Sequence, residues 1–103
     1  MEKIFYNKLI RDKIPEVIRG RGAECEVEEL DDDQFKKEIM KKVVEEASGL
    51  ASTKNREELL EELADVHIVL MEIRKLHDVS EAEFNTALSE NIALKGGFDT
   101  HVF

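Results

Sequence analysis

Glu45, Glu46, Glu62 and Asp65 are the residues of this 103-residue chain whose types and spacing point to chemistry. Glu62 and Asp65 stand three apart, so on a helix both carboxylates leave one face. On a wheel of about 100° per residue, Glu46 falls inside an apolar arc of Phe35, Ile39, Val43, Ala47 and Leu50. Glu45 points to the polar side. Glu62 repeats the anomaly between Val69 and Ile73, in an arc that also holds Leu59, Leu63, Val66 and Leu70. Asp65 lies at the edge of that arc beside Leu76, with Glu58 near the same edge. An ionised carboxylate aimed at a core needs a partner or a metal ion. Carboxylates from two helices suit Mg²⁺, a hard cation that takes oxygen ligands and bridges them to substrate phosphates. The plainer alternative is that Glu46 snorkels from the rim of the core. With 24 acids in the chain, Glu-x-x-Asp pairs also arise by chance.

The elements that must carry these acids are legible from their ends. Asp31-Asp32-Asp33 stacks acids ahead of an apolar-periodic run and predicts a helix over 34–50. Asn55 with Glu58 forms a capping-box pattern that opens a long helix to about residue 77. Ser80 with Glu83 repeats the device for a last helix, stopped by Gly96-Gly97. Upstream, Asp12 is expected to cap a short helix holding Pro15 and ending near Gly20 or Gly22. Residues 23–28 alternate apolar and acidic, which reads as a short strand pairing with 3–6 or 100–103. The expected fold is all-α: one domain over 1–103, an antiparallel helical hairpin plus a third helix, and short extended segments at the ends.

The last helix has an apolar side of Phe84, Ala87, Leu88 and Ile92, and Asn91 and Lys95 fall within it. Lys95 either caps its helix or meets a phosphate. Lys8, Arg11 and Lys13 cluster near the start, able to neutralise phosphate oxygens or to pair with surface acids. The middle helix bears a second stripe, Leu60, Ala64, Ile68 and Met71, away from the first. A helix apolar on two faces is buried on two faces, and three short helices cannot cover both. A homodimer, or a higher even oligomer, is therefore expected to complete the bundle. His67 lies at the edge of this stripe, and Cys25 reads as a small apolar strand residue.

Composition removes several classes. A net charge of −9 opposes general nucleic-acid binding, which needs a basic face. The longest apolar run, 68–71, is far too short to span a bilayer, and the opening residues lack a signal-peptide core. One cysteine excludes an internal disulfide framework, so a cytoplasmic setting is expected.

The order Glu45-Glu46, then Glu62-Leu63-Ala64-Asp65, resembles the motif of the MazG-like all-α NTP pyrophosphohydrolases, a superfamily that includes dimeric dUTPases and phosphoribosyl-ATP pyrophosphohydrolases. The stretch Tyr6-Asn7-Lys8-Leu9-Ile10-Arg11-Asp12-Lys13-Ile14-Pro15 and the closing Lys95-Gly96-Gly97-Phe98 are similar to a small phosphoribosyl-ATP-pyrophosphohydrolase-like subgroup. The resemblance implies a helical, usually dimeric protein. It also implies Mg²⁺-dependent cleavage of a nucleoside triphosphate to the monophosphate and pyrophosphate. By position, Glu46, Glu62 and Asp65 match metal ligands, and Glu45 matches an acid that orients water or supports the ligands. The third acid of the Glu-Glu-x-x-Glu pattern is replaced by Gly49. That implies a weaker site, and Gly49→Glu is expected to restore an oxygen one helical turn from Glu46. Glu57-Glu58-Leu59-Leu60-Glu61 spells the same pattern but belongs to the helix of Glu62, which makes it a decoy. The competing expectation is a non-catalytic helical dimer that binds a nucleotide or a protein.

Overall fold

The computed structural model describes residues 7–103. Four helices follow one another: α1 (Ile14–Gly20), α2 (Asp32–Ala51), α3 (Arg56–Leu76) and α4 (Glu81–Lys95). The architecture is all-α, and α2 and α3 form an antiparallel hairpin. The chain divides into two compact units, one reaching Ile73 and the other starting at Arg74.

Side-chain caps set where the long helices begin. Asp31 accepts from the backbone N–H of Gln34 at 2.8 Å, and the Gln34 side chain accepts from the N–H of Asp31 at 3.4 Å. This capping box satisfies two of the donors that a helix start leaves open. Asn55 accepts from the N–H of Glu58 at 2.9 Å, while the Glu58 carboxylate takes the N–H of Lys54. Glu58 is thereby spent as a cap. Ser80 accepts from the N–H of Glu83 at 3.1 Å and starts α4. That helix stops at Gly96, whose φ of 74° is unfavourable for residues with a Cβ. Between α2 and α3, the Ser52 and Thr53 hydroxyls donate to the carbonyls of Ser48 and Leu50, at 2.9 Å each. The link is short, and a short link between helices makes antiparallel neighbours.

Two expectations are corrected. Asp12 does not cap α1. The N–H of Ile14 donates to the carbonyl of Arg11 at 3.0 Å, a turn that puts Lys13 at the cap position with no side-chain hydrogen bond. Residues 23–28 form no strand, and none occurs among the described residues. A strand needs a partner for its backbone groups. Residues 100–103 make no ladder, and the other candidate, 3–6, lies outside the described residues. The acids that alternate along 23–28 are also poor strand formers. The segment is tied down instead by Arg19, which donates to the carbonyl of Cys25 at 2.9 Å.

Ile39 of α2 and Val69 of α3 are the only buried apolar side chains among the described residues. Both were expected in the arcs that face one another across the hairpin. In the second unit the Arg74 guanidinium lies over the Phe84 ring, 4.3 Å from its centre, a cation–π contact. No described helix is long and apolar enough to cross a membrane.

Candidate metal centre

The hairpin brings Glu46 of α2 against Glu62 and Asp65 of α3. One carboxylate oxygen from each lies within 4.8 Å of the other two. The two α3 acids share a face because they are three residues apart, and Glu46 reaches them from inside the apolar arc of α2. All three are half-buried.

Cations approach from two sides. Lys42, with a tenth of its side chain exposed, lies 3.1 Å from Glu45 and 3.3 Å from Glu46. Lys8 lies 2.8 Å from the other oxygen of Glu45, and Arg11 lies 3.3 Å from Asp65. Glu62 differs from these acids: its Oε2 is closed off from solvent and meets no hydrogen-bond donor.

The titration of the acids follows from these contacts. Burial, then the carboxylates of Glu46 and Asp65, push the Glu62 carboxyl above its ordinary value. Burial alone would raise Glu45 as well. Hydrogen bonds from Lys8 and Lys42 outweigh it and hold Glu45 below its ordinary value.

The donor set fits a hard divalent cation. It offers three carboxylates from two rigid helices, and one buried oxygen among them has no donor of its own. A cation would satisfy that oxygen and relieve the repulsion that raises Glu62. Beside the acids, a cleft of about 260 Å³ is lined by Lys8, Ile10, Arg11, Ile14, Lys42, Glu46 and Asp65.

Of the residues expected to bind substrate, Lys8 and Arg11 line this cleft and Lys13 does not. Lys13 is exposed at the start of α1. Asn91 and Lys95 are exposed on α4, in the second unit. Glu57 and Glu58 lie in the first turn of α3, on the same helix as Glu62, and Glu58 is engaged in the cap.

Lys42 is the residue that sequence reasoning missed. The signal was present: Lys42 precedes Glu46 by one turn, about 40° away on the wheel, and precedes Glu45 by three residues. Gly49 also has a different character from the expected one. A Cβ built on it would lie 2.7 Å from Oε2 of Glu62, so a side chain there meets Glu62 before it meets a metal. Gly49→Glu therefore cannot simply add a ligand to an otherwise unchanged site.

A comparison with known protein families, curated proteins and solved structures finds no match to this chain.

Proposed function

We propose that this chain is a Mg²⁺-dependent nucleoside triphosphate pyrophosphohydrolase of the MazG-like all-α type, cleaving between the α- and β-phosphates. The observation that carries the reading is the convergence of Glu46, Glu62 and Asp65 within 4.8 Å, beside a cleft that Lys8 and Arg11 also line. Mg²⁺ held by the three acids would activate water and neutralise phosphate charge. The chain's own cations complete the site. In this reading Lys8 and Arg11 take non-bridging phosphate oxygens, Arg11 through its planar fork. Lys42, 3.3 Å from Glu46, helps fix its rotamer. Glu45, kept ionised by two lysines, orients them rather than accepting a proton.

The functional unit is a homodimer through Leu60, Ala64, Ile68 and Met71. Leu60 and Met71 are about half exposed in the single chain, and Ile68 is 37% exposed. Burying the exposed half of Leu60 and Met71 contributes roughly 1.5–3 kcal/mol per chain, at about half of the 1.5–3 kcal/mol that each fully exposed side chain would give. Ordering the backbone costs about 1–2 kcal/mol per residue. A second copy supplies the apolar burial that one chain lacks.

The test is pyrophosphate release from a panel of nucleoside triphosphates, with Mg²⁺ and with chelator. Release that needs Mg²⁺ is expected from at least one of them. Nucleotide binding without release from any member would make the protein a binding module and overturn the reading.

A further inference from the structure

Gly49 sits inside α2, where glycine is unfavourable relative to alanine. Its backbone does not demand glycine: the glycines with positive φ are Gly22 and Gly96. The demand comes from across the hairpin. A Cβ at position 49 would stand 2.7 Å from Oε2, 3.1 Å from Cδ and 3.3 Å from Oε1 of Glu62. Real side chains essentially never approach so closely, so the Glu62 carboxylate fills the volume that a side chain at 49 would need. The same Oε2 is the buried oxygen without a donor.

We propose that Gly49 is a positioning residue for a one-cation site. By carrying no side chain, it lets Glu62 lay its carboxylate against α2 beside Glu46 and close the set with Asp65. The inference rests on the metal reading of those three acids. On this account Gly49 is not a ligand that has been lost. The place from which a fourth carboxylate would enter, one turn beyond Glu46, is occupied by Glu62, so the set takes one ion per chain.

A consequence separates this role from ordinary close packing. Any side chain at 49 drives the flexible end of Glu62 out toward solvent, away from Glu46 and Asp65. Without metal, that move relieves burial and repulsion, and alanine also favours the helix. Stability without metal should rise while metal affinity falls. A glycine needed only for helix packing would lose stability on substitution.

The experiment is calorimetric titration of Mg²⁺ into the full chain, paired with thermal melting in chelator. The variants are Gly49→Ala, Glu62→Asp and the two combined. Wild type is expected to bind one ion per chain. Gly49→Ala should bind at least tenfold more weakly and melt no lower than wild type without metal. Glu62→Asp, one methylene shorter, should also bind more weakly on its own. In the Gly49→Ala background the shorter acid fits beside the new methyl, so the combined loss is smaller than the product of the single losses. Wild-type affinity in Gly49→Ala, a lowered melting temperature, or independent losses would each overturn the positioning role while leaving the metal site standing. A wild-type chain that binds no Mg²⁺ would overturn the metal reading itself, and this role with it.

Discussion

Lys42 stands 3.3 Å from Glu46, one turn ahead of it on α2, with only a tenth of its side chain exposed. It touches Glu45 as well, at 3.1 Å. Two acids of α2 are thus tied to an internal cation on their own helix, and Glu62 of α3 has no ion pair among the described residues.

Lys42→Met keeps the aliphatic stem and removes the charge. It leaves the half-buried Glu46 carboxylate without its ammonium and should cost about 1–3 kcal/mol without metal, between the values for exposed and buried pairs. Excess Mg²⁺ should recover part of that loss, since the ion compensates the same carboxylate. Urea unfolding with Mg²⁺ and with chelator measures both. Equal losses in the two conditions would detach Lys42 from the metal site.

Glu62→Gln should stabilise the metal-free protein at neutral pH. The folded state raises the carboxyl above its unfolded value of about 4.5, through burial and then Glu46 and Asp65. The contribution of Glu62 therefore favours folding below pH 4.5 and is lost as pH rises through the raised folded value. At pH 7 the ionised acid opposes folding, and glutamine removes that opposition. Mg²⁺ should raise the melting temperature of wild type and leave Glu62→Gln nearly unmoved. A variant that melts lower at pH 7 would contradict the assigned environment.

Glu45 behaves oppositely. Burial would raise it, but Lys8 and Lys42 depress it, so its stabilising contribution is present above pH 4.5 and lost as pH falls through its lowered folded value. Glu45→Gln should cost no more than about 1 kcal/mol at pH 7, since the Lys8 and Glu45 side chains are both more than a third exposed. The cost should shrink in high salt and vanish at strongly acidic pH. Acid titration of stability for the two proteins gives the comparison, and a constant difference across pH would remove the pairing as its cause.

Arg11→Ala should leave stability within about 1 kcal/mol, because the pair with Asp65 is exposed and long. It should raise KM for the triphosphate by roughly 10- to 100-fold, the worth of one charge-assisted hydrogen bond of about 1.5–3 kcal/mol. An unchanged KM would place the phosphates elsewhere.

Ile68→Glu with Met71→Glu should shift sedimentation from dimer toward monomer, by putting charge on the exposed stripe of α3. A wild type that already sediments as a monomer would remove the proposed dimer, and a dimeric wild type unchanged by the double substitution would put its interface on another face.

The helices and the acid cluster were legible because each left a local mark. Asp31, Asn55 and Ser80 announce the starts of α2, α3 and α4 through hydroxyl, amide or carboxylate caps. Glu46 and Glu62 announce the cluster by interrupting apolar arcs. Position 49 was not legible in this way, because a glycine's role depends on what approaches from the opposite helix. Lys42 was obscured by the charge-rich background, in which one more Lys–Glu spacing carries little weight. The alternation over 23–28 misled because strand pairing is non-local, and alternation alone supplies no partner.

In the proposed function, three carboxylates hold Mg²⁺ for cleavage of an α–β phosphoanhydride. The decisive measurement is phosphorus NMR of a nucleoside triphosphate incubated with wild type and with Asp65→Asn. Wild type with Mg²⁺ should convert the triphosphate to monophosphate and pyrophosphate. Asp65→Asn should do so at least a hundredfold more slowly, while remaining folded. Diphosphate and orthophosphate as products, or equal turnover by the two proteins, would contradict it.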